Sequence, residues 1–80
     1  METYKITNIY FEKDKLILIL NDQKYTFNVN EISEKLANAN ENDRNNFKIS
    51  PSGYGIHWPN IDEDLSVNGL LNQMKKSHVA

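Results

Sequence analysis

Ser50 to Leu71 reads SPSGYGIHWPNIDEDLSVNGLL, and this stretch holds both prolines, all three glycines and the single tryptophan of an 80-residue chain. Its reading decides the fold, because here the chain turns, pairs, stops and restarts. Phe47 and Ile49 alternate ahead of it as a strand, Pro51-Ser52-Gly53 supplies a reversal, and Ile56 and Trp58 alternate as the returning strand. Pro59 has no N–H to give a ladder, so the pairing ends there. Ser66 is a good N-cap, and Val67, Leu70, Leu71 and Met74 recur at i, i+3, i+4 and i+7, which predicts a helix from about Val67 to Lys76. Lys75 and Lys76 would sit where the helix dipole favours cations.

Upstream, Thr3 to Val29 reads as three short strands. Tyr4, Ile6, Ile9 and Phe11 mark the first, Glu12 to Lys15 is a polar turn, and the LILIL run of Leu16 to Leu20 is the second. A run apolar at every position predicts a central strand covered on both faces. Asn21-Asp22-Gln23 turns the chain, since Asn and Asp tolerate left-handed backbone. The third strand then alternates, with Tyr25, Phe27 and Val29 inward and Lys24, Thr26 and Asn28 outward. Asn30 is placed to cap a helix starting at Glu31, with Ile32, Leu36 and Ala39 as a thin apolar stripe. In the Asn-rich segment from Asn38 to Asn46, Asn40 followed by Asp43 resembles a cap for one further helical turn, against the alternative of a mobile loop. The expected architecture is α+β, in β-β-β-α-β-β-α order. It comprises an antiparallel sheet of about five short strands with helices packed on one face, forming one domain over residues 1–76 with a frayed tail at 77–80.

Composition narrows the function classes. The chain has no cysteine, which excludes disulfides and thiolate metal sites, and a reducing compartment makes the cytoplasm the default expectation. The longest apolar run has five residues, far short of the ~20 that span a bilayer, so no membrane partner is expected. The formal net charge of -2 removes the global attraction that dominates affinity for polyanions. A nucleic-acid-associated regulator would instead need sheet aromatics such as Tyr4, Tyr10 and Tyr25 as stacking platforms beside local lysines.

Several residues carry chemistry that has to be weighed. Asp62, Glu63 and Asp64, with His57 five residues upstream, offer oxygen and imidazole ligands for metal-assisted hydrolysis, but the twelve-residue ligand loop of a calcium site is absent. Asp62 and Asp64 read better as carboxylates that complement the start of the C-terminal helix. Ser50 or Ser52 with His57 and Asp62 supplies the residue types of a triad without a strand-to-helix nucleophile elbow. Gly53-Tyr54-Gly55 precedes a strand, whereas phosphate loops precede a helix; Gly53 reads as a positive-φ turn residue and Tyr54 as an exposed aromatic. His57 alternates with Ile56 and Trp58, so it faces away from them to solvent, while Trp58 belongs to the core. Neither a catalytic constellation nor a cofactor is expected.

DRNNFKI, Asp43 to Ile49, followed by Gly53 to Leu71 resembles the small bacterial family catalogued as domain of unknown function 2442. The likeness rests on Arg44, the Gly55 to Trp58 strand, Pro59, the Asp62 to Asp64 run and Gly69 to Leu71. The chain departs from that family at Asp22-Gln23, where an Asp-Gly-like turn is usual, and in NEISEKLANAN, where a proline-bearing connector is common. The resemblance implies a partner-binding protein without an assigned reaction, its members often being encoded beside another short protein in toxin–antitoxin-like pairs. On this reading the partner is the product of an adjacent gene, self-association remains open, and Tyr54, His57, Asp62, Glu63 and Asp64 are the candidate contact residues.

Overall fold

The computed structural model describes residues 5–78, with side chains through Gln73. Ile6–Glu12 (β1), Lys15–Leu20 (β2) and Gln23–Asn28 (β3) form an antiparallel meander with β2 in the centre. Lys13 turns the first hairpin at φ 56°, and Asn21 and Asp22 turn the second at φ 48° and 69°. Positive φ at both central residues matches the right-handed twist of the flanking strands, as in the primed two-residue turns. Asn21 also accepts the Lys5 N–H through its side-chain carbonyl, tying this turn to the chain entering β1. Tyr4, the expected start of the first strand, lies outside the described residues.

Leu16, Leu18 and Leu20 point into the core with Ile6, Ile9 and Phe27. Ile17 points the other way and is still only 2% exposed. The LILIL run is therefore central and, as its composition predicts, buried on both faces, with Ile19 half-buried. Tyr10 and Thr26 stand directly across from Ile17 on the two flanking strands and shield it, while both remain exposed.

The connector forms two single-turn helices, Val29–Ile32 (α1) and Glu34–Ala37 (α2), followed by Glu41–Asn45 (α3). Asn30 is not a cap, contrary to the sequence reading: α1 begins one residue before it, and the break falls at Ser33, extended at φ -163° and ψ 115°. Ser33 is buried, and its Oγ accepts the Leu36 N–H, so it caps α2. The Asn-rich segment takes the helical alternative: Asn40 accepts the Asp43 N–H at 2.8 Å and caps α3.

Lys48–Ile49 (β4), Gly55–Trp58 (β5) and Glu63–Ser66 (β6) make a second antiparallel sheet with β5 central. Gly53 turns its first hairpin at φ 79°, and β5 stops at Trp58, just before Pro59. The fold is α+β with antiparallel sheets, but its six strands are divided three and three. β6 is the strand that sequence pattern missed, because Glu63 occupies an inward position where an apolar residue would have signalled alternation. The assignment of Asp62 and Asp64 to the start of the helix is corrected with it. Asp62 turns the chain at φ 52° and Asp64 sits on the strand. Ser66 does cap Val67–His78 (α4), its Oγ accepting the Gly69 N–H at 2.9 Å. That helix runs two residues past the predicted Lys76, into the expected tail; the side chains of Met74, Lys75 and Lys76 lie outside the described residues, as do Val79 and Ala80.

Both sheets close over one apolar cluster. Trp58, fully buried, meets Phe11 of β1 edge-on at 6.3 Å between centroids and Phe47 at 6.2 Å. Val29, Leu36, Ile56, Val67 and Leu70 complete the contact, so α1, α2 and α4 each contribute an apolar anchor to it, whereas α3 buries none.

Candidate functional site

Strand alternation sets up the site. In β5, Ile56 and Trp58 face the core, so His57 stands on the outer face of the second sheet. Its register partners are Lys48 on β4 and Asp64 on β6, which places cation, imidazole and carboxylate in one row across three strands. His57 Nδ1 and Asp64 Oδ1 are 2.6 Å apart. A carboxylate accepts, so the imidazole donates from Nδ1, and its Nε2 is then the lone-pair nitrogen in the neutral ring. Among the described residues no group meets that second nitrogen.

A groove of ≈600 Å³ runs beside this row, lined by Ser50, Pro51 and Ser66 as well as Ile49 and Leu65. Gly55 lies between Ser50 and Ser66 and leaves the groove open where another residue would put a side chain. The two hydroxyls already hold backbone: Ser50 Oγ accepts the Gly55 N–H at 3.1 Å and Ser66 Oγ accepts that of Gly69. Ser50 also bonds the Ser52 hydroxyl at 3.1 Å. The Ser–His–Asp residue types thus meet in one groove through Asp64 rather than Asp62, without a bond between hydroxyl and imidazole.

The other candidates separate. Glu63 turns inward, where its Oε2 accepts the Ser33 hydroxyl and its Oε1 the Asp64 N–H, so it links β6 to the α2 cap. Asp62 offers its backbone carbonyl to Lys35 Nζ at 2.9 Å. His57, Asp62, Glu63 and Asp64 therefore do not converge on one point, and among the described residues no three acidic or imidazole groups form a metal cluster. Tyr54 is 42% exposed at the turn before β5. Tyr10 and Tyr25 lie on opposite faces of the first sheet, since they oppose the successive residues Ile17 and Leu18. They do not form a shared stacking platform, and Tyr4 lies outside the described residues.

Arg44, which enters the sequence resemblance, has a structural post. Its guanidinium donates to the carbonyls of Leu36, Ala37 and Lys13, lies 3.5 Å from the Asp14 carboxylate and sits over the Phe11 ring. Its own carbonyl accepts the Trp58 indole N–H at 2.9 Å. Sequence could not reveal this, because the acceptors are backbone carbonyls that carry no residue signature. Lys48 was equally out of reach, since the Pro51-Ser52-Gly53 reversal leaves the strand offset open and only the observed register sets Lys48 opposite His57.

Residues 6–76 match the family model described as "Protein of unknown function (DUF2442)". The chain belongs to the DUF2442 family. Among solved structures, it superimposes on the crystal structure of a protein of unknown function from Rhodospirillum rubrum with a TM-score of 0.74 and 24% identity, over 89% of this chain and 88% of that one. The solution structure of an uncharacterised protein from Chromobacterium violaceum gives 0.71 at 23% identity, over 95% of this chain and 78% of that one. At these identities the likeness speaks to fold. No curated protein matches the chain significantly. The DUF2442 fold as seen in this chain puts no helix among the described residues that is long and apolar enough to cross a membrane.

Proposed function

We propose that this DUF2442 chain is a non-enzymatic protein-interaction module, antitoxin-like in acting through a second short protein, and that the partner docks on the outer face of the second sheet. The observation that carries this reading is the ≈600 Å³ groove with the Lys48–His57–Asp64 row along it. An imidazole fixed through Nδ1 presents Nε2 as a directed acceptor, and orientation by a carboxylate is what gives such a group a defined bonding direction. Pro51 in the groove and Tyr54, 42% exposed at the neighbouring turn, supply apolar and aromatic area beside it. Aromatic and apolar anchors ringed by polar groups are the usual anatomy of a protein contact. The commitment of Ser50 and Ser66 to backbone amides favours binding over acyl transfer at this groove.

Co-expression with the adjacent gene product tests the proposal. The two proteins should co-purify, and the double variant Lys48→Ala, His57→Ala should weaken the pair by about tenfold or more while leaving the melting temperature nearly unchanged. Failure of the wild-type chain to co-purify with that product, or to relieve any toxicity it has, sinks the reading.

A further inference from the structure

A strand at the end of a sheet offers a row of unpaired backbone groups to any chain that can lie beside it. The two sheets have four such edges, and three of them are blocked. β4 is two residues long, β6 turns the Glu63 carboxylate inward, and β1 shifts register between Ile6 and Asn8 and packs against α3. β3 is the exception. It runs six residues in unbroken register with β2, with no proline and no inward charge, and Lys24 is its one charged side chain.

The hairpin fixes which backbone groups face outward. Leu20 and Gln23 flank the two-residue turn, and at the far end of the strand the Val29 N–H donates to the Asp14 carbonyl at 2.9 Å in the same register. Gln23, Tyr25 and Phe27 therefore turn their N–H and C=O groups to β2, while Lys24 and Thr26 turn theirs to the open edge. Among the described residues no backbone group of Lys24 or Thr26 has a partner there. We infer that this edge pairs antiparallel with the same edge of a second copy of the chain, about a two-fold axis at Tyr25. The residues along β3 select that register. An axis at Lys24 sets ammonium directly against ammonium, which is unfavourable. An axis at Thr26 or Phe27 sets Gln23 or Lys24 against Val29 or Asn30, which already belong to α1, and one at Gln23 sets Tyr25 against the turn residue Asn21. With Tyr25 on the axis, Lys24 of one copy lies opposite Thr26 of the other, and on each side of the axis that pair exchanges both of its backbone bonds. The two half-buried tyrosines then meet across the axis, an aromatic pair with no like charges opposed beside it. This edge belongs to the sheet that does not carry His57 and needs no second gene product, so its test and that of the first reading stand apart.

Sedimentation equilibrium of the full chain tests the inference, and the average mass should rise with concentration from one chain to two. Thr26→Lys brings a second ammonium opposite Lys24 of the partner and, acting twice through the two-fold axis, should weaken the pair about tenfold, whereas Thr26→Glu should tighten it. Thr26 is exposed, so both variants should keep the far-UV circular dichroism of the wild type. Cross-linking reads the register, since the chain has no cysteine of its own. Tyr25→Cys sets two thiols at a directly opposed pair with Cα atoms about 4.5 Å apart, within reach of a disulfide, and should oxidise to a covalent dimer. Lys24→Cys places its thiols two residues out of register and should stay monomeric under the same oxidation. A mass of one chain at every concentration up to ~1 mM, equal effects of the two Thr26 variants, or cross-linking of Lys24→Cys as fast as that of Tyr25→Cys would each overturn the inference.

Discussion

Arg44 shows how one side chain can hold three pieces of chain together. Helix ends leave carbonyls without partners, and here the end of α2 gives its Leu36 and Ala37 carbonyls to the guanidinium at 2.9 and 3.1 Å. The same fork reaches the Lys13 carbonyl in the first hairpin, with the Arg44 side chain 12% exposed. Lysine cannot reproduce that planar set of donors. Arg44→Ala should therefore destabilise the fold by about 2–3 kcal/mol, and Arg44→Lys should recover less than half of the loss, both read from urea denaturation midpoints. Were Arg44→Lys as stable as wild type, charge rather than geometry would be the stabilising feature. The residue was visible in the sequence as part of a family-like segment, and its role was not, because its partners are peptide carbonyls brought in from two distant turns.

At the level of elements, α4 contains an opposition between two local rules. Gly69 lies in the first turn of the helix, where Ala would ordinarily gain about 1 kcal/mol by propensity. A Cβ at that position would stand 2.9 Å from Ser66 Oγ, the atom that caps the helix through the Gly69 N–H. The hydroxyl would have to swing away and the cap, also worth about 1 kcal/mol, would go with it. Gly69→Ala alone should thus change stability by less than about 0.5 kcal/mol, whereas in a Ser66→Ala background it should stabilise by about 1 kcal/mol. A thermal-melting double-mutant cycle reads the difference, and simple additivity would remove the cap clash from the account. Sequence located the Ser66 cap and the helix that follows it. It did not locate β6, since the strand places Glu63 inward and relies on Ser33, thirty positions away, to satisfy the carboxylate.

Across the whole molecule, the two sheets share their apolar cluster rather than holding separate cores. Trp58 from the second sheet contacts Phe11 from the first, and the indole N–H is bonded to the Arg44 carbonyl between them. Residues of both sheets belong to one buried cluster, so loss of either sheet would expose the apolar face of the other. Unfolding in urea should accordingly be one transition, with tryptophan fluorescence and far-UV circular dichroism coincident at the midpoint. Two separated transitions would show that the sheets fold as independent units. Trp58→Phe, which removes the only tryptophan of the chain, should lower the midpoint read by circular dichroism while leaving a single transition, because the loss of a buried ring edge and its hydrogen bond is felt by both sheets.

Local pattern was enough for the class α+β, the three-strand meander, the turns at Asn21-Asp22 and Gly53, the end of pairing at Pro59 and the caps at Asn40 and Ser66. All of these depend on residues within a few positions of one another, so propensity and spacing suffice to read them. Contacts between distant segments decided that six strands split into two sheets, that Ser33 rather than Asn30 caps a connector helix through its side chain, and that Asp64 rather than Asp62 meets His57. They also decided that Tyr10 and Tyr25 face apart. Those outcomes turn on strand register and on contacts between distant segments, and a shift of register by a single residue moves every side chain to the opposite face.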